Sequence, residues 1–143
     1  MPDLTTEIAA ATAPVTALVP MIPVADVERS VAFYGLLGFE VGNRVPPTGR
    51  MGWAWLYSPQ SADWKRGPNL MLTCSDCPLV VQSPAVLFYL YATDLVALRQ
   101  KLLASGLSAG EICYPDYLPK GEFRLLDPDG YTLMIAQSAA DTP

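Results

Sequence analysis

The chain contains one pattern twice: a strand, a helix that opens at an aspartate, and a glycine that ends the helix. The first copy occupies residues 18–41 and reads LVPMIPVADVERSVAFYGLLGFEV. The second occupies residues 86–109 and reads VLFYLYATDLVALRQKLLASGLSA. Asp26 and Asp94, which can cap the two helices, are 68 residues apart, and the glycines that follow the helices show the same separation. A spacing shared by strand, cap and stop indicates two copies of one unit.

Three strand-like runs follow each helix, so each half of the chain predicts a βαβββ module. The runs are FEVGNR, GWAWLYS and NLMLTC after the first helix, and AGEICY, EFRLL and YTLMIA after the second. Runs rich in aromatic and β-branched residues are typical of strands. The predicted fold class is therefore α+β, with a loose N-terminal arm, a first module, a connector and a second module at residues 1–16, 17–76, 77–84 and 85–138.

A module with one helix leaves half of its sheet uncovered. The helix covers one face, and the other face stays apolar and open. Two such modules can curve their open faces toward each other and enclose a cleft, which is where a functional site is expected. The sequence leaves open whether the modules pair within one chain or between two chains.

The sequence DPDG, at residues 127–130, is either a turn or the start of a calcium loop. Proline, aspartate and glycine suit the successive positions of a tight turn. A calcium loop would need Gly at its sixth position and Glu at its twelfth, where this chain has Thr132 and Ser138. We therefore predict that DPDG is the hairpin turn before the last strand.

Missing residue types exclude several kinds of chemistry. The chain has no histidine, so nucleophile pairs that need one cannot form, and the commonest transition-metal ligand is absent. Its three cysteines, Cys74, Cys77 and Cys113, are too few for a zinc site, and the C-x-x-C pair follows a strand instead of opening a helix. We interpret all three as buried or bystander thiols.

Charge and hydropathy exclude two classes of partner. The net charge of -5 argues against binding to nucleic acid or to an anionic membrane surface. No apolar run approaches the roughly 20 residues that span a bilayer, and the N-terminal residues lack the pattern of a signal peptide. The sequence therefore predicts a cytoplasmic protein whose partners are a small molecule and a second copy of itself.

Together these motifs resemble those of the vicinal oxygen chelate superfamily. The resemblance rests on the aspartate-capped VERSVAFYGLLGFEV helix, the second capped helix and the closing DPDGYTLMI hairpin, and it extends over residues 17–137. That superfamily includes glyoxalase I, extradiol dioxygenases, fosfomycin-resistance enzymes and bleomycin-binding proteins. The resemblance implies two paired βαβββ modules, but it selects no single activity, because one fold carries many chemistries.

The resemblance also implies four positions for metal ligands, two in each module. One lies about seven residues before each helix cap, and the other lies on the last strand of each module. In this chain these positions hold Val19, Met71, Leu87 and Met134. Such side chains cannot hold a hard or borderline divalent cation. The chain is therefore identified as a metal-free member of the superfamily, and no cofactor is expected.

The period of two along strands predicts which side chains face the cleft. In GWAWLYS, aromatic residues alternate with Ala54 and Leu56, and the small and aliphatic residues suit the side covered by the helix. The same argument, together with the resemblance, predicts ten ligand-facing residues: Met21, Trp53, Trp55, Tyr57, Met71, Tyr89, Tyr91, Glu122, Arg124 and Met134. Core packing is the alternative for each aromatic residue.

Six side chains need individual interpretation. Glu122 and Arg124 either contact a ligand or form an ion pair that closes the sheet. Tyr114 and Tyr117 belong to a proline-containing loop and are candidates for the mouth of the cleft. Lys65 and Arg66 are interpreted as solvated charges at the tip of a hairpin.

Three functions fit these features. The favoured one is the binding of a small, flat or apolar molecule in a metal-free aromatic cleft, which would protect by sequestration. The alternative is a metal-independent lyase or isomerase in which Glu122 is the general base and Arg124 stabilises an oxyanion. The third is a degenerate relative that retains only dimerisation. A homodimer is expected because relatives of this length usually pair.

Overall fold

A computed structural model describes residues 17–64, 66–75 and 87–138. The predicted N-terminal arm, the predicted connector with Cys77, and Lys65 lie outside the described residues. None of the described helices is long and apolar enough to span a bilayer.

The first module contains a four-stranded mixed sheet and one helix. Its strand order is β1-β4-β3-β2, with β1 parallel to β4 and the other pairs antiparallel. The elements are β1 (Met21–Val24), α1 (Val27–Gly35), β2 (Glu40–Val45), β3 (Trp53–Tyr57) and β4 (Asn69–Cys74).

The second module repeats this plan with three strands. Its order is β5-β7-β6, with β5 parallel to β7 and β6 antiparallel to β7. The elements are β5 (Leu87–Ala92), α2 (Leu95–Ala104), β6 (Glu122–Leu126) and β7 (Thr132–Gln137). Two βαβββ-like modules in an α+β arrangement confirm the predicted fold class.

The prediction of a regular strand over AGEICY is wrong. This segment follows β6 through a single bridge, in which Cys113 and Glu122 exchange backbone hydrogen bonds of 2.8 and 2.9 Å. The amide of Gly110 donates to the carbonyl of Arg124 at 2.9 Å, so three steps along the segment match two steps along β6. An extra residue of this kind bulges an edge and breaks the ladder.

Both helices begin and end where the sequence predicts. The Asp26 carboxylate accepts a hydrogen bond from the amide of Arg29 at 3.3 Å, and the Asp94 carboxylate accepts one from the amide of Ala97 at 3.0 Å. The glycines after the helices have φ of 94° and 85°, the left-handed region that favours glycine at a helix end.

The helix-covered faces of both sheets contribute to one hydrophobic core. Val24 and Leu72 of the first module, and Leu125 and Leu133 of the second, belong to the same cluster and are at most 1% exposed. Each sheet therefore has an inner face in the shared core and an outer face that is only partly covered. Burial on the inner faces is the main term that holds the modules together.

The DPDG turn ties the second module to the first. Gly130 has φ 95° and its amide closes the turn on the carbonyl of Asp127 at 3.0 Å, as a hairpin turn requires. The Tyr34 hydroxyl donates to Asp127 Oδ2 at 2.9 Å. Asp129 Oδ1 accepts from the amide of Ala25 at 2.9 Å and from the guanidinium of Arg29 at 3.1 Å. The turn is therefore part of the scaffold, as predicted.

Burial acts in the same direction on the pKa values of both ends of the Tyr34–Asp127 hydrogen bond. It raises the pKa of the Asp127 carboxyl, although hydrogen bonds from Tyr131 and Tyr34 oppose the change. It also raises the pKa of the Tyr34 phenol, and the charge of Asp127 adds to that effect. The phenol therefore remains a hydrogen-bond donor throughout the ordinary pH range.

Candidate functional site

The outer face of β3 carries a row of aromatic side chains. Ala54 and Leu56 are buried at 0% and 1% exposure, whereas Trp53, Trp55 and Tyr57 point to the opposite face and are half-buried. This is the orientation that the alternation of residues predicts. The part that these rings play in ligand binding stays a prediction.

Contacts with its neighbours fix the indole of Trp55. It stacks on Tyr57 with ring centroids 5.3 Å apart and meets Trp64 edge to face at 5.7 Å. Its Nε1 donates to Asn69 Oδ1 at 3.2 Å. The Asn69 amide in turn donates to the carbonyls of Trp64 and Gly67, each at 3.1 Å. A ring held on several sides presents a preformed surface to a ligand.

A groove of about 320 Å³ lies on this outer face. Two positions where metal-dependent relatives are expected to carry ligands, Val19 and Met71, contribute to it, and Met21 adjoins it because β1 and β4 pair Met21 with Met71. The complete lining is Val19, Asn43, Trp53, Trp55, Trp64 and Met71. The groove is therefore aromatic and apolar, with one amide side chain.

Two of the lining residues were missed by sequence reasoning. Asn43 lies opposite Trp55 in the β2–β3 pairing because the register shifts between Val41 and Asn43, and regular alternation along β2 does not predict that shift. Trp64 belongs to the loop between β3 and β4, and its position depends on a hydrogen bond from Asn69 that has no local sequence signal. Both residues enlarge the binding surface that the sequence predicts on β3.

The outer face of the second sheet carries the second predicted row. Leu87, Tyr89 and Tyr91 of β5 are 51%, 43% and 37% exposed. The two tyrosine rings stack loosely, with centroids 6.3 Å apart. Met134 of β7 lies beside Tyr89 and is half-buried. Among the described residues, no ring contact joins this row to the aromatic row of β3.

Two tyrosines bind Glu122. Glu122 is 5% exposed. Its carboxylate accepts a hydrogen bond from the hydroxyl of Tyr89 at 3.1 Å and another from the hydroxyl of Tyr117 at 2.8 Å. Desolvation, followed by the hydrogen bond to Glu122, raises the pKa of Tyr89 to about 12. The hydrogen bond to Glu122 is the main reason that the pKa of Tyr117 is raised. Both carboxylate oxygens are thus engaged by phenols.

Arg124 has a different partner from the one that the sequence suggests. It is exposed, and its Nη2 donates to the hydroxyl of Thr132 at 3.3 Å. The ion pairs among the described residues are Arg29 with Asp129 and Arg50 with Asp26. The alternative in which Glu122 and Arg124 close the sheet as an ion pair is therefore wrong.

The described residues include no cluster of three or more His, Cys, Asp or Glu side chains that could hold a metal ion. The absence of a metal in the protein stays a prediction that rests on the four apolar side chains named above. Cys74 and Cys113 are exposed free thiols, so burial, one of their two predicted states, is wrong for both.

Comparison with known proteins agrees with this architecture. Residues 16–51, which include β1, α1 and most of β2, match the family model of the bleomycin resistance protein-like N-terminal region. The fold is that of the vicinal oxygen chelate superfamily. The resemblance predicted from the sequence is confirmed. No curated protein sequence matches the chain.

Solved structures with this fold include proteins that bind antibiotics. The bleomycin resistance determinant encoded on transposon Tn5 is 20% identical, with a TM-score of 0.65, and the match covers 87% of this chain and 98% of that one. A bleomycin-binding protein complexed with bleomycin is also 20% identical, with a TM-score of 0.62 and coverage of 87% and 100%.

The antibiotic-binding protein TnmS3 from Streptomyces sp. CB03234 is a third such structure. It is 20% identical, with a TM-score of 0.64 and coverage of 90% of this chain and 99% of that one. At these identities the likeness is one of fold. The roles of individual residues must therefore be argued from the geometry of this chain.

Proposed function

We propose that this protein binds and sequesters a flat, largely apolar small molecule on the aromatic face of its first sheet. The observation that carries the proposal is the groove beside Trp53 and Trp55, in which the Trp55 indole is held by Tyr57, Trp64 and Asn69. A fixed aromatic surface favours a planar ligand, because stacking costs little further ordering of the protein.

The structural relatives support an antibiotic-like ligand. One of them was solved with bleomycin, and another is an antibiotic-binding protein. Protection by sequestration needs affinity and no catalytic group, and this matches a groove lined by indoles, a valine, a methionine and one amide. The site is metal-free in this proposal, because Val19 and Met71 occupy the two ligand positions of the first module.

The complete cleft, in this proposal, lies between two protomers of a homodimer. The inner faces of both sheets meet in one core, so the outer faces point away from it on different sides. Met21, Leu87 and Tyr89 on these outer faces are 57%, 51% and 43% exposed, an apolar surface that a partner would cover. The first sheet of one protomer would then face the second sheet of the other, which brings the two aromatic rows together.

Binding is favoured over catalysis because Glu122 is 5% exposed and each of its carboxylate oxygens accepts a hydrogen bond from a tyrosine. A general base must be free to take a proton from a substrate, whereas Tyr89 and Tyr117 both donate to this carboxylate. We assign Glu122 to holding the two tyrosine rings in place at the edge of the second aromatic row.

Quenching of tryptophan fluorescence by bleomycin and by a panel of planar aromatic antibiotics tests the proposal. We expect saturable quenching by at least one compound, and a loss of affinity of about fivefold or more in Trp55→Ala, because stacking contributes about 1 kcal/mol. Tyr114→Ala is the matched control, since Tyr114 is 65% exposed and does not line the groove. Equal affinities in calorimetry of Trp55→Ala and the wild type would contradict the assignment of the site.

A further inference from the structure

A second cavity lies between the two modules, away from the groove on the first sheet. It has a volume of about 500 Å³, within the range of roughly 300–1,000 Å³ found for small-molecule sites. Phe39 and Pro68 of the first module and Leu90 of the second form its apolar walls. We call this cavity the seam groove.

The lining of the seam groove also includes side chains that can donate hydrogen bonds. These are Arg66, Ser58 and Tyr91. Arg66 is exposed and makes no ion pair with any described residue, and its guanidinium is the one charged group among the described residues of the lining. Tyr89 also lines the groove, but its hydroxyl is bound to Glu122. A positive charge without a competing carboxylate favours an anion.

An apolar pocket of about 170 Å³ adjoins the seam groove. The pocket and the seam groove share Phe39, Pro68, Tyr89 and Leu90 as lining residues, so the two cavities adjoin. The polar side chains in the pocket are already engaged, since Tyr34 donates to Asp127 and Asn69 is bound to Trp55. The pocket therefore presents apolar surface and suits a hydrocarbon chain.

We propose that the seam groove binds a single-chain amphiphile with a carboxylate head, the head on the guanidinium of Arg66 and the chain in the apolar pocket. The proposed ligand is a free monocarboxylate with a hydrocarbon chain of medium length. This site shares Tyr89 and Tyr91 with the second aromatic row, but it shares no residue with the lining of the groove on the first sheet, so binding to it can be tested without the proposed planar ligand.

Calorimetric titration with dodecanoate, below the concentration at which it forms micelles, tests the proposal. We expect saturable binding to the full-length chain, with affinity lowered about tenfold or more in Arg66→Ala. Arg50→Ala is the matched control, because Arg50 is exposed, lies outside the groove and pairs with Asp26. Both variants remove one positive charge from the protein, so a general effect of net charge would change them equally.

Two further probes separate the head from the chain. Dodecyltrimethylammonium, with the opposite charge, and acetate, without the chain, should each bind at least ~100-fold more weakly than dodecanoate. Equal binding of dodecanoate to Arg66→Ala and Arg50→Ala, or equal binding of either probe, would overturn the proposal. Trp53→Ala should retain dodecanoate binding, because Trp53 lines only the aromatic groove, and Arg66→Ala should retain quenching by a planar antibiotic, so the two sites can fail separately.

Discussion

A β-carbon on Gly42 would lie 2.4 Å from Cζ3 of Trp55, which is closer than any packed β-carbon approaches another atom. It would also lie 3.0 Å from Cδ1 of Tyr57. The indole of Trp55 therefore occupies its position beside β2 only because residue 42 has no side chain. Gly42 is thus a component of the aromatic surface, although it contributes no atoms to the lining of the groove.

Replacing Gly42 by alanine should displace the indole and weaken ligand binding. We expect a loss of affinity of about threefold to tenfold for a planar ligand, comparable to losing part of the stacking contribution. Fluorescence titration measures the affinity, and a shift in tryptophan emission reports the ring. Gly52→Ala is the control, because its β-carbon would meet only the Val45 carbonyl, at 3.9 Å. The prediction fails if both variants bind as the wild type does.

Replacing Glu122 by glutamine distinguishes binding from catalysis. A binding protein should retain most of its affinity, because the amide oxygen can still accept a hydrogen bond from one of the two tyrosines. An enzyme that uses Glu122 as its base should still bind but lose turnover by roughly 100-fold or more. Mass spectrometry of the incubated ligand, beside the titration, measures both. Turnover by the wild type that disappears in Glu122→Gln would contradict sequestration.

Replacing Leu87 by glutamate should break the homodimer and lower ligand affinity together, because a buried charge would lie in the proposed interface between outer faces. Light scattering measures the mass, against 15.5 kDa for one chain. Val96→Glu is the control, since Val96 is 53% exposed but lies on α2. A wild type that is monomeric at micromolar concentration is the result that rejects the dimer.

Replacing Tyr34 by phenylalanine should lower the free energy of unfolding by about 1–3 kcal/mol, the range for losing a hydrogen bond to a buried charged group. The variant leaves Asp127 buried with its two backbone donors, the amides of Asp129 and Tyr131. Urea unfolding measures the change, with Tyr114→Phe as the exposed control. A change equal to that of the control would mean that this hydrogen bond contributes nothing measurable.

The contribution of Tyr89 to stability should depend on alkaline pH. Its pKa is raised from 10.0 to about 12 in the folded chain, so the folded state favours the neutral phenol. This contribution is complete below pH 10 and is lost as the pH rises through about 12. The difference in unfolding free energy between the wild type and Tyr89→Phe should therefore shrink between pH 9.5 and about 11.5. A constant difference would show that folding leaves the pKa of the phenol unchanged, and a growing difference would show that folding lowers it; either result contradicts the prediction.

Local patterns predict the parts of this fold that local chemistry determines. Asp26 and Asp94 cap helices because their carboxylates reach the amides three residues on, and Gly130 closes a turn because its φ is positive. The orientation of β3 follows from alternation, since Ala54 and Leu56 are the residues that a helix can cover. These features need no knowledge of the other half of the chain.

The polar contacts of the site were beyond prediction because they join distant segments. Glu122 meets Tyr89, which is 33 residues away, and Asn69 fixes Trp55 from the next strand. The loop that carries Tyr117 contains prolines, and its direction is set by the hydrogen bond to Glu122. Sequence alone indicates the residue types at such a site but not which donor meets which acceptor.

The hydrogen bonds from the DPDG turn to the first module suggest that the two modules can associate without a covalent link. Asp127 and Asp129 hold Tyr34, Ala25 and Arg29 through non-covalent contacts that need no peptide bond between the modules. These hydrogen bonds and the shared core join the two modules. A chain divided between its two halves has the chemistry to reassemble from separate fragments, so the scaffold is suited to a split reporter whose signal is restored when the halves meet.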